Sequence, residues 1–213
     1  IKPEAKYLSA EGTDRPDEGE QDFEHSLPLA DALGKSFLAL TLNGQSLPAA
    51  HGGPVRLVTP GYYGTMNVKW LHRLRFDADE SNHTSQIPNY RTPLEPIVPG
   101  SPFVPTFSNS EPNWRMKIKS VVVAPSAGAK LAAGGVDVRG VAFNDGTARI
   151  DAVLISIDGG RSWQKAELQV PESPYAWYRW QARLKLPPGK QQIWARAVDA
   201  LGRTQPLDGA VHW

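Results

Sequence analysis

Two strong cations and a histidine lie close together in a glycine-rich stretch of this sequence. Arg56 and Lys69 flank a Gly-Tyr-Tyr-Gly turn at residues 61–64, and His51 precedes a Gly-Gly-Pro turn. The planar guanidinium of arginine suits a phosphate and the lysine ammonium offers a point charge, while glycine lets backbone N–H groups approach an anion. The pattern therefore indicates a local site for an anionic group, with solvated cations at strand edges and a surface histidine as the alternative.

Composition narrows the classes of protein to which the chain can belong. The sequence has 213 residues and a formal net charge of +1, so no overall field favours nucleic acid or an anionic membrane as a partner. No apolar run approaches the roughly 20 residues of a membrane-spanning helix. The chain contains no cysteine, which excludes disulfides, cysteine-ligated zinc, iron–sulfur clusters and a covalently attached haem within it.

The first half of the chain predicts one short helix and three short strands that position these residues. Ser26 can cap a helix that Gly34 ends, and the strands are expected at residues 37–42, 55–59 and 68–76. Apolar side chains of the last strand share one parity, which predicts one buried face. That face is expected to consist of Val68, Trp70, Leu74 and Phe76.

Turn-rich segments flank these elements. Residues 1–25 are acidic and rich in turn formers, which predicts a solvated loop. Asn43-Gly44 is a strong turn signal inside the predicted strand region. Residues 77–114 contain seven prolines and are predicted to form a long extended segment, so a domain boundary is expected near residue 114.

From Lys117 onward the sequence predicts short strands separated by strong turns, a pattern typical of a β-sandwich. Four tryptophans are expected to supply apolar area to its core. They are Trp163, Trp177, Trp180 and Trp194. The strands are predicted at residues 117–123, 135–143, 149–157, 162–169, 177–186 and 191–199.

Taken together, these motifs resemble the cofactor-binding core and the dimerisation domain of the sulfite oxidase family of molybdenum enzymes. Both their order and their spacing match, which makes the combination more specific than any single motif. The matching segments of the first half are Leu42–Pro48, His51–Arg56, Pro60–Gly61, Gly64 and Val68–Leu71. Those of the second half are Val136–Ala142, Ile157–Trp163, Ala195–Asp199 and Thr204–Pro206.

The resemblance implies a fold and a cofactor. Residues 1–114 are expected to be the C-terminal portion of a molybdopterin-binding domain, with an α+β, mostly-β fold, and residues 115–213 an all-β immunoglobulin-like sandwich that forms a homodimer. The implied cofactor is molybdenum held by molybdopterin. Carried over by position, the residues that bind it are His51, Arg56, Asn67, Val68 and Lys69. The family's molybdenum-ligating cysteine is expected outside this chain, in a missing first half or a companion polypeptide, so no metal ligand is assigned here.

The family also has an active-site tyrosine downstream of these residues. Tyr90 falls at the matching spacing from His51, and its phenol could donate a hydrogen bond to an oxygen of the substrate. In the alternative interpretation Tyr90 packs under the proline-rich segment, and Tyr62 or Tyr63 lies near the metal instead. The resemblance therefore favours Tyr90 as the catalytic residue.

Charged residues also occur near the predicted site in the sequence. Arg91 could contribute positive charge for an anionic substrate. A cofactor-binding aspartate of the family could correspond to Glu11 or Asp14, and the sequence does not decide between them.

The implied activity is the oxidation of sulfite to sulfate, with electrons passing to a haem protein or haem subunit of the cytochrome c type. Sulfane-sulfur oxidation and other reactions of the family are the alternatives, and a non-catalytic immunoglobulin-like binding module is the alternative from another class. The Gly-Tyr-Tyr-Gly turn and the proline-rich segment resemble bacterial sulfite dehydrogenases, from which a periplasmic location is expected.

Overall fold

A computed structural model describes residues 1–14, 19, 21–98, 100–132 and 134–205, which form two compact units. The first unit extends to Arg115 and the second begins at Met116. Residues 206–213, including the end of the predicted second domain, lie outside the described residues. No helix in the described part of the chain is long and apolar enough to cross a membrane.

Strands predominate in the first unit, as expected for a mostly-β fold. Its single described α-helix, α1, spans Leu29–Lys35, and two 3₁₀ turns span Ala49–His51 and Gly64–Met66. The strands are β1 (Tyr7–Gly12), β2 (Glu24–Pro28), β3 (Phe37–Ala39), β4 (Thr41–Leu42), β5 (Gln45–Ser46), β6 (Arg56–Val58), β7 (Leu71–Asp77), β8 (Arg91–Pro93) and β9 (Ser110–Pro112).

An antiparallel sheet in the order β2-β1-β7 backs the core of this unit. Leu8 and Ala10 of the central strand are buried, and Leu8 lies opposite Leu27 of β2. The prediction of a solvated loop over residues 1–25 is therefore wrong. Charged neighbours concealed a strand of only six residues, and residues 15–18 and 20 of the acidic run lie outside the described residues.

The predicted helix begins later than expected. Ser26 does not cap it but lies in β2, opposite Ser9 of β1. Its hydroxyl accepts a hydrogen bond from the Ser81 N–H at 2.9 Å, so sheet pairing and a long-range contact override the local capping signal. Gly34 lies within the helix, which continues to Lys35.

The predicted strands near the glycine-rich stretch are shorter than expected. The 37–42 strand is split into β3 and β4, and the 55–59 strand contracts to β6. The turn predicted at Asn43-Gly44 is confirmed, because both residues have positive φ, 52° and 78°, and connect β4 to β5.

The buried face predicted for residues 68–76 is wrong in its second half. The strand itself begins at Leu71. Leu74 and Phe76 are 39% and 47% exposed, because β7 is an edge strand that pairs only with β1. Val68 is buried, but it precedes the strand. Trp70, which has a positive φ of 50°, interrupts the extended backbone between Val68 and the strand.

The second unit is the expected β-sandwich. Its sheets have the orders β10-β11-β15-β14 and β13-β12-β16, and one cluster of buried residues contains members from both sheets, including Val138 and Val153. The strands are β10 (Lys119–Ala124), β11 (Gly134–Phe143), β12 (Ile150–Ser156), β13 (Gln164–Lys165), β14 (Glu167–Gln169), β15 (Tyr178–Leu186) and β16 (Trp194–Asp199).

The tryptophan prediction holds for one residue and fails for another. Trp180 is 2% exposed in this core, whereas Trp177 is 59% exposed. Because side chains alternate along a strand, the inward-facing Tyr178 and Trp180 leave Trp177 on the outer face. There its ring stacks on Phe143, with centroids 5.4 Å apart.

Candidate functional site

The site is built where residues 67–70 close onto the 3₁₀ turn at residues 49–51. The Trp70 N–H donates to the Gly52 carbonyl at 3.0 Å, and the Trp70 indole N–H donates to the Ala49 carbonyl at 2.8 Å. These bonds bring the predicted cofactor-binding residues to one place. We call that place the cation cradle, which consists of His51, Arg56, Asn67, Val68 and Lys69.

Arg56 connects the two sides of the cradle. Its Nε donates to the Asn67 carbonyl at 3.0 Å and its Nη1 to the His51 carbonyl at 3.2 Å. Partial burial lowers its pKa from the ordinary arginine value, yet arginine remains charged at neutral pH. Within the described part of the chain Nη2 makes no hydrogen bond, so this edge of the guanidinium can still bind an anion.

Lys69 is held across the glycines of the same turn. Its Nζ donates to the Ala50 carbonyl at 2.9 Å and lies 5.3 Å from the Trp70 ring centroid. A Cβ at Gly52 would lie 2.7 Å from Lys69 Cγ, and Gly52 has a φ of +98°. Only glycine meets both requirements at position 52 without strain. At Gly53 a Cβ would lie 1.9 Å from the Leu47 carbonyl oxygen, so the second glycine is required by a separate close contact.

Asn67 and Val68 contribute differently from the prediction. The Asn67 side chain accepts the Thr59 N–H at 2.6 Å and donates to the Tyr63 carbonyl at 2.8 Å. Val68 is 2% exposed and packs in the core. Both side chains are thus used within the fold. The Asn67 N–H donates to the Gly64 carbonyl and the Val68 carbonyl accepts from the Leu57 N–H, each at 3.0 Å, so the Val68 N–H is the main-chain group of this pair with no hydrogen bond among the described residues.

His51 adds an exposed imidazole ring to the cradle. It ends the 3₁₀ turn and is exposed, and its carbonyl is already used by Arg56. Among the described residues its imidazole makes no hydrogen bond, so both ring nitrogens are free to meet a ligand.

Tyr90 lies on a separate segment. It has a positive φ of 51° and is 47% exposed. Its ring meets the edge of His25 with centroids 5.6 Å apart, and its carbonyl accepts the Asn113 N–H at 2.8 Å. In the described part of the chain no hydrogen bond or ring contact links Tyr90 to the cation cradle.

The first alternative tyrosine is poorly suited to a catalytic role. Tyr62 is 3% exposed and its phenol donates to Asp31 at 2.5 Å. Burial and the hydrogen bond to Asp31 raise the pKa of Tyr62 well above its usual value. Arg115 completes the group by donating to both Asp31 oxygens at 2.8 and 2.9 Å, so Tyr62 supports the fold.

Arg91 also has a structural role rather than the predicted role toward substrate. Its side chain is 2% exposed and forms an ion pair with Glu80. Its Nε and Nη2 donate to the hydroxyl and carbonyl of Ser110, each at 2.8 Å. The guanidinium is therefore used within the fold and offers little to an external anion.

A buried histidine that was not predicted from the sequence lies next to Tyr90. His25 is 1% exposed, and its Nδ1 lies 2.6 Å from the Gln86 side-chain oxygen. Burial lowers the pKa of His25 to about 4, which outweighs the opposing effect of the Gln86 hydrogen bond. No sequence signal connects these residues, because the two partners lie 61 positions apart.

The donors and charges of the cradle fit the phosphate of a pterin cofactor. Arg56 Nη2, Lys69 and the His51 ring supply donors and positive charge, and Gly52 leaves the room that the Lys69 side chain occupies. Among the described residues no group of His, Asp and Glu could hold a metal ion.

Two protein-family models match the chain over most of its length. The first, an oxidoreductase molybdopterin binding domain, matches residues 1–85. The second, a Mo-co oxidoreductase dimerisation domain, matches residues 110–213.

Individual relatives agree with these matches. The chain is 34% identical over 197 residues to mitochondrial sulfite oxidase of Mus musculus, covering 88% of the chain and 36% of that protein. It is 31% identical over 216 residues to sulfite oxidase of Gallus gallus, covering 98% of the chain and 46% of that protein. A crystal structure of the sulfane dehydrogenase SoxCD from Paracoccus pantotrophus superimposes with a TM-score of 0.78 at 30% identity, covering 97% and 49% of the two chains. The chain thus spans about a third to a half of the length of these relatives.

Replacing Gly52 by alanine tests whether this glycine determines where Lys69 lies. Gly44→Ala is the matched control, because Gly44 has a φ of +78° but open space around its Cβ position. Both variants should lose about 1 kcal/mol of unfolding free energy from the left-handed backbone. Gly52→Ala should lose clearly more, as measured by urea denaturation, because its methyl group displaces Lys69. Equal losses would show that Lys69 adjusts freely.

The buried His25 predicts a loss of stability in acid. The unfolded chain binds a proton at this residue below pH 6.5, whereas the folded protein does so only near pH 4. The contribution is therefore complete above pH 6.5 and is lost as the pH falls to about 4, amounting to about 3 kcal/mol of unfolding free energy. Urea denaturation between these pH values should show this decline, and His25→Asn should show a flatter profile. Parallel profiles would contradict the assignment.

Proposed function

Because the chain belongs to the sulfite oxidase family of molybdenum-cofactor oxidoreductases, we propose that it forms part of the cofactor site of an enzyme that oxidises sulfite to sulfate. The observation that carries the proposal is the arrangement of Arg56, whose Nε and Nη1 are fixed on two backbone carbonyls while Nη2 makes no bond within the described residues. A fixed guanidinium with one free edge is suited to a phosphate that must be held in one orientation.

In this proposal the cation cradle holds the molybdopterin phosphate. Arg56 supplies a directed charge-assisted hydrogen bond, and Lys69 supplies a second charge that its contact with the Ala50 carbonyl keeps in place. The exposed His51 ring provides a further polar contact. When bound, the molybdenum cofactor supplies the oxygen-atom transfer, and the residues of this chain bind and orient it.

Tyr90 is the proposed catalytic residue of the chain. A phenol is a hydrogen-bond donor at neutral pH, and Tyr90 combines partial exposure with a fixed ring contact to His25. It would donate a hydrogen bond to an oxygen of the bound substrate. The commitment of Tyr62 to Asp31 supports this choice over the first alternative tyrosine.

A second candidate substrate is sulfane sulfur. It is favoured by the similarity of this chain to the structure of SoxCD, which is a sulfane dehydrogenase. In either case we propose, from the resemblance to the family, that electrons pass to a haem protein of the cytochrome c type. Because residues 1–213 contain no cysteine, such a haem would be attached outside them. A bacterial, periplasmic origin remains a prediction from the sequence motifs.

The non-catalytic alternative explains less of the molecule. An immunoglobulin-like binding module would account for the second unit alone. It gives no reason for the placement of Arg56 and Lys69 around one turn or for the left-handed Gly52 that makes room for Lys69.

Two substitutions separate cofactor binding from turnover. Arg56→Ala should lower the molybdenum and pterin content of the purified enzyme, since loss of a hydrogen bond to a charged group costs about 1.5–3 kcal/mol. Tyr90→Phe should keep the cofactor but reduce sulfite turnover on the order of 100-fold. Metal analysis, pterin fluorescence and steady-state kinetics measure these effects.

Matched controls make this experiment decisive. Arg73→Ala removes an arginine whose side chain is 58% exposed, and Tyr175→Phe removes an exposed phenol of the second unit. Neither should change cofactor content or turnover. The role assignments are reversed if Tyr90→Phe loses molybdenum while Arg56→Ala retains it.

We also propose that the second unit forms a homodimer, since its residues match a dimerisation domain. Light scattering coupled to size exclusion should give twice the mass of the protomer at micromolar concentration. A charge placed on the exposed outer face by Val123→Glu should shift this equilibrium toward monomer if that face is used. A monomeric mass for the unsubstituted protein at all concentrations would contradict the proposal.

A further inference from the structure

A buried polar chain lies directly behind Tyr90, and the proposed function does not use it. His25 contacts the ring of Phe23 on one side, with centroids 4.8 Å apart, and the ring of Tyr90 on the other. Both contacts are edge-on, and His25 is 1% exposed. The partly exposed Tyr90 ring therefore packs against a histidine that is itself buried.

The hydrogen bonds fix the orientation of the Gln86 side chain. Its amide nitrogen donates to Glu80 Oε1 at 2.8 Å, and a carboxylate can only accept. Its oxygen therefore faces the Ser26 N–H, which donates to it at 3.2 Å. The same oxygen lies 2.6 Å from His25 Nδ1, so Nδ1 must carry the proton of that bond.

This assignment gives His25 one defined protonation state. A neutral imidazole with its proton on Nδ1 has a bare lone pair on Nε2. Among the described residues His25 Nε2 has no hydrogen-bond partner, although it is buried. A proton on Nε2 would thus have no acceptor there, while the proton on Nδ1 has a short and well-placed one.

The chain of contacts continues into the segment that carries Tyr90. Glu80, which accepts from Gln86, also forms the ion pair with Arg91, the residue that follows Tyr90. Tyr90 itself has a positive φ of 51°, a strained conformation for a tyrosine that its surroundings must maintain. His25 contacts the side chain of this strained residue, and the Gln86–Glu80–Arg91 chain anchors its backbone.

We propose that His25 is a positioning residue for Tyr90: its neutral ring, oriented by Gln86, holds the phenol in the place where it meets the substrate. The inference rests on the proposed function, because it assumes that the Tyr90 phenol takes part in turnover. A buried residue, His25, would then influence activity through the exposed Tyr90 without contacting the substrate.

The decisive test is a double-mutant cycle in the molybdenum-loaded enzyme. His25→Asn keeps an N–H for Gln86 but removes the ring contact, and should lower kcat for sulfite by about tenfold while molybdenum content stays unchanged. Because His25 acts through Tyr90, the double variant with Tyr90→Phe should be no slower than Tyr90→Phe alone. Multiplying losses would overturn the proposal.

A second variant guards against a folding defect at the first. Gln86→Met leaves the His25 ring in place but removes the acceptor for Nδ1, so it should also lower kcat. This loss should disappear when the variant already carries Tyr90→Phe. His72→Asn, at a histidine whose side chain is 44% exposed, is the control and should leave kcat unchanged. Independence of Gln86→Met from Tyr90→Phe would likewise overturn the proposal.

A spectroscopic readout separates this inference from the proposed function. Nitrogen-15 NMR at pH 7 should show His25 protonated at Nδ1 and bare at Nε2, and His25→Asn should shift the Tyr90 ring resonances. A cationic His25, or unchanged Tyr90 resonances, would refute the positioning role even if Tyr90→Phe proves inactive. If Tyr90→Phe retains full turnover, the catalytic role of Tyr90 fails, and the NMR result alone decides whether His25 positions its ring.

Discussion

The closure of residues 67–70 onto the 49–51 turn is the constraint on which the rest of the candidate site depends. Gly52 makes it possible, because its left-handed backbone and missing side chain leave room for the stem of Lys69. Arg56 then secures both sides through the carbonyls of His51 and Asn67. These bonds use only some of the N–H donors of Arg56 and Lys69. One edge of the guanidinium, the rest of the ammonium and the His51 imidazole have no hydrogen-bond partner among the described residues. These unused donors and positive charges are the basis of the preference for an anion that we propose for the site.

In the proposed function the cation cradle binds the cofactor, whereas Tyr90 takes part in turnover of the substrate. The cation cradle is held by backbone carbonyls close in sequence, whereas Tyr90 is held by side chains from distant segments, above all His25. Cofactor retention and turnover should therefore respond to different substitutions. The second unit has its own separate core, so changes there should affect assembly more than chemistry.

Local signals in the sequence predicted local structure well. Asn43-Gly44 produced the expected turn because its positive φ values are a property of those two residues. Arg56, Lys69 and the Gly52-Gly53 pair could be selected because their chemistry and spacing fall within one short stretch. The short strands separated by strong turns predicted the sandwich for the same reason, since each turn has its own local signal.

Features that depend on distant partners could not be predicted in this way. Ser26 has the side chain of a helix cap, but pairing with β1 and the contact with Ser81 place it in a strand. Leu74 and Phe76 have the pattern of a buried face, but an edge position leaves them exposed. His25 and Gln86 meet across 61 positions, and nothing near either residue indicates the other.

The central claim is that the cation cradle is a specific site for a phosphate group. The most direct measurement is a titration of the nitrogen-15-labelled protein with a simple phosphate monoester, followed through the Nε–H resonances of its arginines. We predict a saturable shift at Arg56 and at the Gly52 amide, with no comparable change at exposed arginines such as Arg73 and Arg183. Small, non-saturating shifts of similar size at all arginines would mean that the cradle is only a group of solvated cations, and would contradict the account.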